Sequence, residues 1–360
     1  MIPIIPGPDP AAAPAPIGLL TVLLVALLPL HLIPMNLALG GGFLAAWAAW
    51  RARRAAELEG RHYRALLGSF TTALLVVTAA TITFGIAPLL FLQVLYGPLF
   101  YTSSVLMAWF WLAVIALLMG GYYSYYAFAF HRRDASPHAS LALAGALLLL
   151  AVGFLFSNNM TLMLRPERWA AMYAASAHGF HLNVADATHG PRFLHFVTAS
   201  FAVTGLFVAL LARRHRSDDT QQWMQRLGAR LFAGATHMQI LVGLLFLSSL
   251  ERPVRDLFLG GNVGDTAVLW CAVALALLAT LIVRRRPALA AALTVATIFG
   301  MSFVRHRVRE AMVAPVFSVA DLKVVPQYGP MTIFAIVLLA GIGTLVWMSV
   351  RFARAGPSKV

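Results

Sequence analysis

His195 is the single ionisable side chain in residues 193–212, an apolar run that follows Pro191-Arg192 and stops at Arg213-Arg214-His215-Arg216. Wound as a helix, these twenty residues cross about 30 Å of hydrocarbon. Both nitrogens of an imidazole carried into that medium need partners: a carbonyl, a polar side chain, water or a metal. Two more histidines fall near the same depth. His31 lies twenty residues before Arg51 in the run 17–50, about 30 Å of helical rise, and His306 closes the run 287–304. One such histidine is as well explained by a neighbouring carbonyl; three on three helices at one level point to a shared ligand.

Packed helices stand about 8–10 Å apart, so side chains at one level can converge on a porphyrin-sized ligand, and imidazole is an ordinary axial ligand of haem iron. The carboxylates or paired histidines expected around a bare metal ion are missing from these stretches. Cys271 is the only cysteine, which excludes a disulfide, a cysteine metal motif and covalent c-type haem. His237, in Gly234-Ala-Thr-His237-Met238-Gln239, lies about 10 Å from Arg230 by helical rise. It is read as a ligand of a deeper haem or as the partner of a neighbouring carbonyl. His62, His131, His138 and His215 fall among arginines and read as solvated.

The elements that position these histidines follow from composition. The 360 residues are 60% apolar and 11% charged, with a mean hydropathy of +0.80; soluble domains carry about a quarter charged residues. Nine apolar runs are legible, at roughly 17–50, 66–92, 104–128, 139–160, 192–212, 230–249, 266–283, 287–304 and 331–350. The expected fold is all-α: a polytopic bundle of about nine transmembrane helices in the lipid bilayer, placed in a bacterial inner membrane.

The net charge of +14 is carried by short arginine clusters between the runs, a topology signal rather than a nucleic-acid face. With the N-terminus outside and the C-terminus inside, the inner segments hold Arg51, Arg53, Arg54, Arg61 and Arg64, then Arg132 and Arg133, then Arg213, Arg214, Arg216, Arg226 and Arg230. Arg284 to Arg286, Arg351, Arg354 and Lys359 complete them. The expected division is an extracytoplasmic segment 1–16, one haem-binding bundle 17–354 and a cytoplasmic tail 355–360. The stretch 93–104 reads as a loop rich in interfacial aromatics, and the long loop from Asn158 to Arg192 has room for a surface helix.

On these residues the chain resembles subunit I of the cytochrome bd quinol oxidases. Leu30-His31-Leu-Ile-Pro34 is similar to that family's first-span haem-ligand stretch. Phe193-Leu-His195-Phe-Val197, with Val203-Thr-Gly205, is similar to the fifth-span stretch whose histidine ligates haem b, and Gln93 with Gly97 to a stretch after span two. The resemblance implies nine spans with N outside, haems toward the outer face, and two or three haem b groups with quinone as substrate. Departures are equally legible. Val105 to Leu112 lacks the family's third-span glutamates, residues 265–283 contain no methionine, and the loop between spans six and seven is short. Glu310 or His306 stands where the family places a glutamate ligand.

The expected metal ligands are therefore His31, His195, His306 and His237. Arg192, Arg305, Arg307 and Arg309 lie at the same level, where cations can pair with propionates. The expected function is a membrane haem b subunit exchanging electrons between the quinone pool and a periplasmic acceptor, a c-type cytochrome or another redox subunit. The alternatives are a bd-type terminal oxidase, which the missing carboxylates disfavour, and a non-haem carrier or anchor using Asn36, Thr81, Thr83 and Gln239.

Overall fold

The computed structural model describes residues 11–131, 138–215 and 217–355. The terminal segments assigned above fall largely outside the described residues, as do Arg132, Arg133, Arg216 and Lys359.

Backbone inside a bilayer must satisfy its own hydrogen bonds, and the apolar runs accordingly form helices. They are α1 (Ile17–Ala52), α2 (Glu57–Leu106), α3 (Ala108–His131), α4 (Ala139–Leu162), α5 (Trp169–Ala175), α6 (His189–Ala212), α7 (Asp218–Ser249), α8 (Arg252–Asp256), α9 (Val263–Ile282), α10 (Pro287–Val313) and α11 (Tyr328–Ala355). Nine of them, all but α5 and α8, are long and apolar enough to span a membrane. The chain is a polytopic all-α membrane bundle. The β-pairing among the described residues is one parallel bridge, Ala13 with Val324, which ties the start of the chain to the segment before α11.

Two helices run beyond their apolar cores. α2 continues through the stretch read as a loop, to Leu106, and bends where Tyr96 leaves helical geometry (φ −126°, ψ 28°). Pro98 explains the bend: it has no N–H to donate and its ring crowds the preceding turn. α10 continues through Arg305 to Val313 because its charged side chains pair along the helix, His306 with Glu310 and Arg307 with Glu310. α5 is the surface helix for which the long loop had room.

α1 packs along α2, α3 along α4, α6 along α7 and α9 along α10, and α1 also meets α4 and α6. The α6–α7 crossing depends on two glycines. A Cβ on Gly205 would stand 2.4 Å from the Phe232 nitrogen, and one on Gly228 would stand 2.5 Å from the Ala209 nitrogen. Backbones this close are a normal solution inside a membrane, where small residues let helices approach. They bring the site-end halves of α6 and α7 together, with His195 and Gln239 between them.

Candidate cofactor cavity

A cavity of about 250 Å³ lies between α1, α6, α7, α9 and α10, toward the end of the bundle where α6 begins and α10 finishes. Its walls are mainly apolar, with Phe196, Phe232, Phe246 and Phe258 among them. The polar groups that face it include Asn36, Arg192, His195, Gln239 and Arg305. A single buried water needs only about 10–15 Å³ of such space, so the chamber suits a large ligand.

His195 opens on this space from α6. Its Nε2 lies 3.2 Å from the Gln239 side-chain amide nitrogen on α7, which donates to it. Its Nδ1 is buried and has no hydrogen-bond partner. Gly243 leaves room for the ring, since a Cβ there would already stand 3.3 Å from Cε1 and 3.4 Å from Nδ1. One nitrogen is thus fixed by the protein and the other is left in a low-dielectric space.

Arg192 is buried, its guanidinium stacked over Phe246 at 5.0 Å, with Nε and Nη2 unpartnered. Arg305 lies over Phe196 at 5.2 Å, and Arg309 over Tyr96 at 5.2 Å. The three cations are near enough to repel one another. Neighbouring carboxylates are committed elsewhere. Asp265 and Glu310 hold Arg307, and Asp186 and Glu251 hold Arg165. An unpaired cation removed from water costs several kcal/mol, so the arrangement calls for an anionic ligand.

The other expected ligands are dispersed. His31 packs on α2, where its Nδ1 donates to the Thr81 carbonyl at 2.9 Å and its ring fills the space over Gly85. That bond leaves Nε2 as the nitrogen with a free lone pair, the usual preparation of a histidine ligand. Its helix neighbours Leu32 and Asn36, not His31 itself, line the cavity, although the Arg305 charge reaches it. His306 faces away from the cavity into a groove between α1, α9 and α10. His237 is exposed on the outward face of α7 and joins neither group.

Sequence reasoning missed the polar layer that closes this end of the bundle. Asn158 on α4 accepts from the Asn183 N–H at 2.9 Å and lies 3.2 Å from the His189 Nε2 at the start of α6. Asn159 joins Ser103 and Ser104 of α2. In the connecting loop, Asp186 accepts from the Thr188 N–H (2.9 Å) and hydroxyl and from Arg165 Nε (2.8 Å). Burial alone would raise the Asp186 carboxyl, but the two Thr188 bonds and the Arg165 guanidinium outweigh it and hold it below the usual carboxylate range. The signal available in sequence was the Asn158-Asn159 doublet ending an apolar run.

The class that this architecture defines is a membrane helix bundle with a large internal cavity near one end, equipped with an imidazole and buried cations. No family model matches the sequence, and no curated protein matches it. Among solved structures the chain is similar to one in the bd oxidase from Geobacillus thermodenitrificans. The TM-score is 0.68 and the identity 14%, with 96% of this chain and 100% of that chain covered. At that identity the likeness shows the fold, which is therefore of the bd oxidase kind.

Proposed function

We propose that the chain is a membrane haem b subunit that passes electrons between the quinone pool and a periplasmic acceptor such as a c-type cytochrome. The observation that carries this reading is the unpartnered His195 Nδ1 in an apolar chamber beside Arg192 and Arg305, which have no counter-charge. A tetrapyrrole with propionates fits that donor set: an imidazole for iron, guanidinium groups for carboxylates and aromatic walls for the ring. When bound, haem b supplies one-electron redox chemistry.

The residues of the chain have distinct parts in this reading. His195 holds the iron, and Gln239 fixes the imidazole orientation. Arg192, Arg305 and Arg309 neutralise the propionates, and the apolar walls exclude water. His31, prepared by Thr81, holds a second group on the α2 side. His237, on the outward face, has no place in this cavity. The single bundle 17–354, N outside and C inside in a bacterial inner membrane, puts the site end toward the periplasm, as a periplasmic acceptor requires.

Electron transfer is preferred over oxygen reduction because of where the carboxylates fall. Among the described residues of the nine spans, Glu57, Glu59, Asp218, Asp219, Asp265 and Glu310 all lie in the first or last turn of their helices, leaving no acidic relay in mid-membrane. The purified chain is expected to give a b-type difference spectrum on dithionite reduction and no oxygen uptake with quinol. Absence of haem by pyridine haemochrome would overturn the reading.

A further inference from the structure

α10 presents a second polar face, one residue on from Arg305. His306 lies at the polar end of a groove whose walls include Val22 and Val25 of α1, Val268 of α9, and Phe299 and Phe303 of α10 itself. Only 6% of the His306 side chain is exposed. Its Nε2 stands 3.2 Å from Glu310 Oε1, while its Nδ1 is buried without a partner. The other Glu310 oxygen accepts from Arg307 Nη1 at 2.7 Å, and Arg307 also grips Asp265 through Nε and Nη2.

These contacts fix what the groove recognises. With Arg307 on its second oxygen, Glu310 is a carboxylate, so the His306 proton sits on Nε2 and Nδ1 presents a bare lone pair. A ligand must therefore bring a donor. A quinone carbonyl offers none. A phosphate headgroup would meet two carboxylates and an arginine whose donors are already engaged. The walls are apolar and two phenylalanine rings flank the space, so the ligand arrives through the lipid and carries a flat ring.

We infer that the groove between α1, α9 and α10 binds the phenolic head of a membrane-soluble hydroquinone, whose hydroxyl donates to His306 Nδ1. This deepens the quinone part of the function proposed above and rests on that reading only for the fate of the electrons. The cavity lies on the other face of the same helix, and a helix with its side chains is about 10–12 Å across.

The test uses the purified full-length chain in phosphatidylcholine nanodiscs and two redox-inert ligands with the same ten-carbon tail: a hydroquinone monomethyl ether, with one O–H, and the matching methoxybenzene without it. Calorimetric titration is expected to show the hydroxylated ring binding about tenfold more tightly, the worth of one buried hydrogen bond. His306→Leu should abolish the difference. A photoreactive version of the monoether should label α1 near Val22 and Val25 or α10 near Phe299 and Phe303 in the unsubstituted protein, which needs no variant to fold. Equal affinity of the two ligands for the unsubstituted protein, or labelling confined to the His195 cavity, overturns the inference. The haem content of the same sample is scored separately: binding without haem keeps the groove and sinks the cytochrome, and haem with equal affinities does the reverse.

Discussion

His195 and Gln239 form the smallest unit on which the account can be tried. Gln239→Leu removes the donor that fixes the imidazole while leaving the helix crossing intact, and is expected to weaken haem retention by about tenfold or more. Haem titration of the apoprotein measures this, and an unchanged affinity would show that the ring is positioned otherwise. Asp186 makes a separate prediction outside the spans. Its carboxyl is depressed in the folded protein, so its contribution is present above the unfolded carboxylate value of about 4 and is lost as pH falls through the lower folded one. Thermal melts should therefore hold steady from neutral pH to mild acid and decline only below that value. Asp186→Asn should cost about 2–3 kcal/mol at neutral pH and flatten the decline. At this scale His195 and His31 were legible in the sequence because a lone titratable group stands out in an apolar run. Gln239, Asn36 and Asn158 were not, since an uncharged amide in a span ordinarily bonds its own surroundings and nothing in its neighbours marks it as an exception.

The helices were legible where apolar character continued and misjudged where it stopped. Residues 93–104 and 305–313 read as loops because they are polar or proline-containing, yet both are helical. Hydroxyls of Thr102, Ser103 and Ser104 bond back to carbonyls of their own helix, and the charges of α10 pair at helical spacing. The extension of α10 matters most, because it puts Arg305 on the cavity and His306 on the groove from one rigid rod. The α6–α7 crossing carries the element-scale prediction. Gly228→Ala sets a methyl against the Ala209 backbone, where overpacking costs about 1–3 kcal/mol. It should lower the melting temperature and loosen haem together, whereas Gly234→Ala, at a position with open space around it, should change neither.

The whole molecule was legible as a nine-span bundle, since hydropathy reports membrane crossing directly. Which spans touch was not. The cavity draws on α1, α6, α7, α9 and α10, and the depth argument set His31, His195 and His306 at one level without saying which way each faces. Rotation about a helix axis is decided by packing, and the uniformly apolar surfaces of these spans do not encode it. The proposed topology is open to direct test. In a Cys271→Ala background, cysteine at His178, exposed in the loop before α6, should react with an impermeant maleimide on intact cells, and cysteine at Ala56, between α1 and α2, only after lysis. The opposite pattern would invert the bundle and turn the cavity toward the cytoplasm.

The central claim is that a haem iron is bound in the cavity by His195. The most direct measurement is the dithionite-reduced minus oxidised spectrum of the purified protein beside that of His195→Ala, with circular dichroism to show that both are folded. The account predicts a b-type α-band in the first that is lost or diminished in the second. A folded wild-type protein without haem, or a variant whose spectrum is unchanged, would contradict it.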